Sequence, residues 1–246
     1  MIITKQKPLD EIISYVKNYD KILITGCDGC YQPPRSEKES EILGLLLQLK
    51  DRLTFVKNSH KIRAMTVLRQ CDDKILSSTM RPILKEFQPD AIISMACGAG
   101  VQTNAQLFDI PVFPGQNTMF IGAELHQNNQ FLELCEACGD CMLGETGGIC
   151  PVVNCAKHLM NGPCGGTVAG MCEVGNYSKP CAWVEIWKKL KRQGKLNVFK
   201  KFRMPRDYRA STSPRDESIK LSFEDVAGSL IETDHQQETK EVAEIE

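Results

Sequence analysis

The sequence is poor in several features that mark whole classes of protein. No run of 18 apolar residues occurs in its 246 residues, so nothing predicts a membrane-spanning helix. The formal net charge is only −1, which argues against a global role on nucleic acid or on an anionic membrane surface. The first eight residues contain no apolar core of a secretory signal. We therefore expect a cytoplasmic protein.

Groups typical of hydrolytic enzymes are also scarce. Only four histidines occur, and the sequence shows neither a Ser–His–Asp arrangement nor an HExxH motif. Cysteine is abundant instead, with 12 residues. Because structural disulfides are rare in the cytoplasm, we interpret these cysteines first as thiolate ligands of a metal or cluster, and second as redox-active thiols.

Cysteine density divides the chain into three regions. Residues 1–134 contain four cysteines, residues 135–181 contain eight, and the remaining residues contain none. We predict an α/β domain over 1–134 and a cysteine-rich cluster-binding domain with a following helix over 135–206. An extended or disordered tail is predicted over 207–246 because the last 16 residues carry six acids and one lysine.

Apolar periodicity in the first region switches repeatedly between the helical and the strand pattern. It predicts, in order, a helix at 9–16, a strand at 21–25, a helix after the capping box Ser36-x-x-Glu39, a strand at 62–68, a helix at 79–87, a strand at 91–96, a helix at 101–108 and a strand at 112–113. Strands that alternate with helices are typical of an α/β fold with a doubly wound parallel sheet.

A helix and a basic stretch follow the cysteine-rich segment. Trp183, Ile186, Trp187 and Leu190 form one apolar stripe, which predicts a helix that ends at Gly194. Nine Lys or Arg and no acid occur in 187–206. We interpret this stretch as a solvated face rather than a nucleic-acid site, because its two phenylalanines form no stacking array.

The strongest chemical signal is the triplet Cys135-x2-Cys138-x2-Cys141, which Cys150-Pro151 follows. A tight loop with this spacing brings three sulfurs to one centre, and a Cys-Pro commonly closes the bacterial ferredoxin-type pattern. The last spacing of that pattern is three residues, whereas here it is eight. The motif alone therefore leaves the fourth ligand open.

Four further cysteines complete this segment: Cys155, Cys164, Cys172 and Cys181. Eight thiolates match two 4Fe–4S clusters, and they also match two zinc sites of four thiolates each. The triplet differs from the paired knuckles typical of zinc, which favours iron–sulfur chemistry. The apolar runs are too short for a conventional core, so the segment needs a metal or covalent link to hold a shape.

A second set of cysteines occurs in the N-terminal region. Cys27 and Cys30 form a C-x2-C after the first predicted strand, and Cys71 and Cys97 each follow a later one. Because carboxyl ends of parallel strands share one edge, where ligands bind, we predict that the four converge on a third 4Fe–4S cluster. The alternatives are two buried cysteines, Cys71 and Cys97, beside an incidental C-x2-C, or a thioredoxin-like redox pair.

Longer motifs carry a resemblance to a known family. The chain resembles the cysteine-rich C-terminal domain of methylenetetrahydrofolate reductases in four runs: Cys135-Glu-Ala-Cys-Gly-Asp-Cys-Met-Leu-Gly-Glu-Thr-Gly-Gly-Ile-Cys-Pro151, Asn161-Gly-Pro-Cys-Gly-Gly166, Met171-Cys-Glu-Val174 and Pro180-Cys-Ala-Trp183. It resembles the stand-alone small iron–sulfur (MetV-type) subunit of such reductases in three others: Gly26-Cys-Asp-Gly-Cys30, Arg69-Gln-Cys71 and Ala96-Cys-Gly-Ala-Gly-Val101. The resemblance extends over about residues 20–190.

The resemblance implies that the reaction is divided between chains. The flavin subunit of the family is a TIM barrel, which takes about 250 residues and has no room here beside the cysteine-rich half. FMN and folate would then lie on a partner subunit of one-carbon metabolism (the Wood–Ljungdahl pathway) that reduces 5,10-methylene- to 5-methyltetrahydrofolate.

This chain would be a non-flavin subunit of that oxidoreductase. It would pass electrons through its clusters from a donor protein or subunit to the FMN, and would be inactive alone. The alternative is a zinc-stapled, non-catalytic scaffold or regulatory subunit of the same reductase. Neither interpretation requires nucleic acid or a membrane span.

Overall fold

In a computed structural model, the chain is described over residues 1–30, 40–44, 46–47, 61–125 and 130–215. The chain divides into two compact units, Met1–Met204 and Pro205–Glu246. The described part of the smaller unit contains one turn of 3-10 helix, Tyr208–Ser211. None of the described helices is long and apolar enough to cross a membrane.

Among its described residues, the larger unit contains nine strands and six helices with defined bounds. In chain order they are β1 (Ile2–Gln6), α1 (Leu9–Val16), β2 (Lys21–Cys27), β3 (Lys61–Val67), α2 (Asp73–Phe87), β4 (Ala91–Ser94), α3 (Gly98–Leu107), β5 (Val112–Pro114), β6 (Gln116–Leu125), β7 (Gln130–Cys135), α4 (Pro151–Asn154), β8 (Thr167–Val168), β9 (Met171–Cys172), α5 (Ala182–Arg192) and α6 (Leu196–Phe199). Residues 40–44 and 46–47 are also helical.

A four-stranded parallel sheet with the order β3-β2-β4-β5 organises the N-terminal part. β2 pairs in parallel with both β3 and β4, and β4 pairs in parallel with β5. The chain therefore moves outward from β2 in one direction to β3 and then in the other to β4. This reversal places a switch point between β2 and β4, and such points bind ligands in open α/β sheets.

Both faces of the parallel sheet are covered by helices. Ile24 of β2 packs with Ile12 of α1 on one face, whereas its neighbour Leu23 packs with Leu76 of α2 on the other. Burial on both faces explains why the central strands β2 and β4 are mainly continuous apolar runs rather than alternating ones. The predicted α/β fold with a parallel sheet is confirmed.

A three-stranded antiparallel sheet, with the order β1-β6-β7, was absent from the sequence-based expectation. β1 pairs with β6 across more than a hundred residues, for example Ile2 with Ile121. A local sequence pattern cannot indicate a pairing between residues so far apart in the chain. In β7, Leu132 and Leu134 are both exposed, so the strand also lacks the buried face that would make it recognisable. This sheet matters for the candidate site because β7 ends at Cys135.

Several element boundaries differ from the expectation. α2 begins at Asp73 rather than at residue 79, because the Asp72 carboxylate caps it by accepting a 3.0 Å hydrogen bond from the Ile75 amide. Pro82 therefore lies inside the helix on its exposed side, not near its start. The predicted capping box Ser36-x-x-Glu39 lies outside the described residues.

The cysteine-rich segment packs against α5 through a small apolar cluster. Its buried members are Met142, Val152, Trp183, Ile186 and Leu190. The indole Nε1 of Trp183 donates a 2.9 Å hydrogen bond to the Leu159 carbonyl. Gly194 follows α5 with a φ of +68°, as the predicted helix end requires.

Candidate metal centres

The four N-terminal cysteines lie at the carboxyl edge of the parallel sheet. Cys27 is the last residue of β2, and Cys30 follows three residues later. Cys71 follows the end of β3, and Cys97 is the N-cap of α3 after β4. Because β2 and β4 flank the switch point, Cys27 and Cys97 belong to the two strands that border its crevice.

These four thiols share one electrostatic neighbourhood. Burial raises the pKa of the Cys27 thiol, and the nearby Cys71 and Cys97 raise it further. Hydrogen bonds from the backbone of Gln70 and Gly29 lower this pKa, but the net change is a rise. Burial also raises the pKa of the Cys71 thiol, as do the charges of Cys97 and Cys30. Thiols that disfavour one another's ionisation in this way become thiolates readily when a cation lies among them.

Gln70 is a buried residue that sequence reasoning missed. Its Nε2 donates hydrogen bonds to the Gly26 carbonyl at 2.7 Å and to the Thr25 carbonyl at 3.0 Å. Its Oε1 accepts from Ser94 Oγ at 2.7 Å and from Asn104 Nδ2 at 2.8 Å. One side chain thus joins the carboxyl ends of β2 and β4 to α3. These three elements, which end at, precede or begin beside cysteines, are therefore joined by a residue adjacent to Cys71.

Gly100 lets α3 approach this polar centre. A Cβ at position 100 would lie 2.9 Å from the Gln70 Cβ and 2.7 Å from the Ala96 Cβ, closer than side-chain atoms pack. Any larger residue would push α3, and Cys97 at its start, away from the strand ends. The absence of a side chain at Gly100 is therefore required by close packing.

The cysteine triplet begins where β7 ends. The Ala137 amide donates a 3.3 Å hydrogen bond to Cys135 Sγ. Ala137 and Gly139 have left-handed backbones, with φ of +53° and +79°, and they bend the chain sharply between the cysteines. Cys150 is the N-cap of α4, with Pro151 at its first position. The backbone therefore turns sharply between the cysteines of the triplet, and the convergence of their sulfurs on one centre stays a prediction.

The same local turn recurs at three cysteines from both parts of the chain. A cysteine sulfur accepts a hydrogen bond from the amide two residues later, in the pairs Cys27 with Gly29, Cys135 with Ala137, and Cys164 with Gly166. Amide hydrogen bonds to sulfur stabilise thiolate ligands and tune the clusters or metal ions that they hold. This observation, together with an all-sulfur donor set, fits both an iron–sulfur cluster and zinc.

Arg203 ties the triplet loop to the loop that contains Asn161. Its guanidinium pairs with Asp140 at 2.5 Å and with Glu145. Its amide donates to Asn161 Oδ1 at 2.7 Å, and its carbonyl accepts from Asn161 Nδ2 at 3.0 Å. Arg203 belongs to the basic stretch that we interpreted as a solvated face. The solvated-face interpretation does not hold for Arg203, because its side chain is mostly buried between two carboxylates.

The thiols are not drawn together around a single ion. All 12 cysteines are free. Over the described part of the chain, no three His, Cys, Asp or Glu side chains lie in an arrangement that could hold a metal ion. Thiolates on one zinc lie about 3.8 Å apart, because each Zn–S bond is about 2.3 Å, whereas ligands of a cluster bind different irons. The assignment of the cysteines to sites stays a prediction.

Comparison with known families bears on the second half of the chain. Residues 113–209 match the family model described as "Methylene-tetrahydrofolate reductase C terminal". This match covers about two fifths of the chain and includes the whole eight-cysteine segment 135–181. No curated protein and no solved structure matches the chain. Residues 113–209 are therefore related to the C-terminal region of methylene-tetrahydrofolate reductases.

Proposed function

We propose that this chain is an iron–sulfur electron-transfer subunit of a methylenetetrahydrofolate reductase. It delivers electrons to the FMN of a TIM-barrel partner subunit, which reduces 5,10-methylene- to 5-methyltetrahydrofolate. The observation that carries the proposal is the position of all eight cysteines of 135–181 inside the segment that matches the reductase family. The proposed cofactor thus belongs to the related part of the chain.

The chain's own residues have three tasks in this proposal. The eight thiolates of 135–181 hold two 4Fe–4S clusters, and Cys27, Cys30, Cys71 and Cys97 hold a third. A bound 4Fe–4S cluster supplies one-electron transfer at a potential set by its charge, exposure and hydrogen bonds. The amides of Ala137 and Gly166 donate those hydrogen bonds to sulfur.

The proposal includes a flavin-containing partner subunit. The parallel sheet of the described residues is open and has four strands, whereas a TIM barrel is closed and has eight. The family description places the related segment at the C terminus of reductases. We place the catalytic flavin site on a partner subunit, and this chain serves that subunit and an electron-donor protein or subunit.

A zinc-stapled scaffold of the same reductase is the second candidate. It is favoured by the small apolar cluster of the cysteine-rich segment, because five buried side chains give a segment of this size little stability of their own. Structural zinc sites supply such stability. Under this alternative the complex keeps full activity without iron, and the chain tethers or regulates the flavin subunit.

Metal analysis of the complex tests the proposal. The chain is produced with its flavin partner, purified without oxygen, and assayed for iron, acid-labile sulfide and zinc. We expect about four irons for each cluster, broad visible absorbance and flavin reduction through the chain. A colourless complex with stoichiometric zinc, no iron and full reductase activity would refute electron transfer and support the scaffold.

A further inference from the structure

Cys164 differs from the other cysteines of the segment in its charged neighbours. Lys157 Nζ lies 3.5 Å from Cys164 Sγ, within hydrogen-bond range for sulfur. Glu173 Oε1 lies 3.7 Å from the same sulfur and also pairs with Lys157. The Gly166 amide donates to this sulfur at 3.4 Å. One cation, one anion and one amide thus converge on a single thiol.

The pair is held in place from two directions. Lys157 lies just after α4, whereas Glu173 follows β9, which pairs with β8 beside Gly166. The Glu173 amide donates a 3.1 Å hydrogen bond to the Gly166 carbonyl. A Cβ at position 166 would occupy the space of the Glu173 carboxylate. The glycine therefore admits both the amide–sulfur bond and the carboxylate.

We infer that Lys157 and Glu173 together set the reduction potential of the centre that Cys164 ligates. This inference rests on the proposed iron–sulfur function. Reduction adds one negative charge to the centre, so the adjacent ammonium favours the reduced form and the adjacent carboxylate disfavours it. The two groups lie at nearly equal distances from the sulfur, so their effects largely cancel.

Removing one charge at a time makes this balance measurable. Lys157→Met leaves the carboxylate and should lower the midpoint potential, whereas Glu173→Gln leaves the ammonium and should raise it. We expect a change of about tenfold in the reduction equilibrium in each direction, which is about 59 mV for a one-electron couple. The double variant should return close to the wild-type value, as should Lys157→Arg, which keeps the charge.

The measurement is a redox titration followed by electron paramagnetic resonance on the anaerobic complex with its flavin partner. The matched control is the pair Lys188 and Glu185, whose side chains are 49% and 38% exposed, against 42% and 37% for Lys157 and Glu173. No hydrogen bond to sulfur is present at the control pair among the described contacts. Lys188→Met and Glu185→Gln should leave all potentials within experimental error.

Opposite shifts in the two single variants support the inference, because general loosening of the segment would not reverse sign. Equal potentials in all variants, or shifts of the same sign, overturn it. Should Lys157→Met lose iron, Glu173→Gln still decides, because its rise in potential is required. Wild-type protein without clusters would instead refute the proposed function, so the two failures are distinguishable.

Discussion

Replacing Gln70 by methionine tests whether one buried amide holds the strand-end site together. Methionine keeps the approximate volume of glutamine but removes four hydrogen bonds of 2.7–3.0 Å. Each such hydrogen bond contributes about 1 kcal/mol net to the free energy of unfolding. The polar partners of Gln70 are buried, so water cannot replace the lost bonds, and the destabilisation is larger than at an exposed site. We expect Gln70→Met to lower the free energy of unfolding by about 3–5 kcal/mol.

The assay is thermal unfolding of the anaerobically purified chain, followed by circular dichroism. A loss of 3–5 kcal/mol corresponds to a melting temperature about 6–20 °C lower for a chain of this size. Gln102→Met, on the exposed side of α3, is the control, because the Gln102 amide makes a single 3.2 Å hydrogen bond, to the Gly98 carbonyl, among the described contacts. We expect that control to stay within about 0.5 kcal/mol of wild type.

Iron content provides a second readout for the same variant. If Gln70 positions the elements that carry Cys27, Cys71 and Cys97, the anaerobic complex of Gln70→Met should lose about four irons and keep the clusters of 135–181. A variant that melts less than 2 °C below wild type and keeps all of its iron would refute the role that we assign to Gln70.

The remaining predictions concern the other centres and two local contacts. Cys138→Ser should lose about four irons and slow flavin reduction, and unchanged iron with unchanged activity would contradict its assignment as a ligand. Cys97→Ser should lose about four irons from the other site, measured in the same way. Arg203→Met leaves Asp140 and Glu145 without their guanidinium, so amide hydrogen exchange in 138–145 should accelerate while α2 stays protected. Asp72→Ala removes the α2 cap and should cost about 1 kcal/mol in denaturant unfolding, and no change would show that the helix starts elsewhere.

Local sequence patterns predict the parallel sheet well, but they predict the antiparallel sheet and the start of α2 poorly. A strand buried on both faces, such as β4, begins with a continuous apolar run, Ala91-Ile-Ile93, which is typical of a parallel sheet covered by helices. β1 gives no such signal, because its partner β6 lies more than a hundred residues away and the sheet that they form is partly exposed. The start of α2 was predicted six residues too late, because proline is typical of a first helical turn, whereas Pro82 lies in the interior of a helix that Asp72 caps.

The candidate ligands and the residues that position them differ in how much of their role is local. At Cys135 and Cys27, a C-x2-C spacing accompanies a turn in which the amide two residues later donates to the cysteine sulfur. The same turn occurs at Cys164, where a glycine pair and not a C-x2-C follows the cysteine. The role of Gln70 cannot be predicted from the sequence around it, because an isolated glutamine is usually exposed. Its four hydrogen-bond partners come from three separate elements.

The fold nevertheless gives a physical reason for a buried amide at position 70, which lies where the paired strands end. At the carboxyl edge of the parallel sheet, β2 and β4 stop pairing. The Thr25 carbonyl accepts one hydrogen bond from the Met95 amide at 2.8 Å and a second from Gln70, and the Gly26 carbonyl accepts from Gln70 at 2.7 Å. An amide supplies two donors and an acceptor from one side chain, so Gln70 donates to both carbonyls and still accepts from Ser94. Glutamate in its place would offer no donor when ionised, and leucine would offer none at all. Gln70, adjacent to Cys71, therefore links the end of β2, where Cys27 lies, to the end of β4, which Cys97 follows.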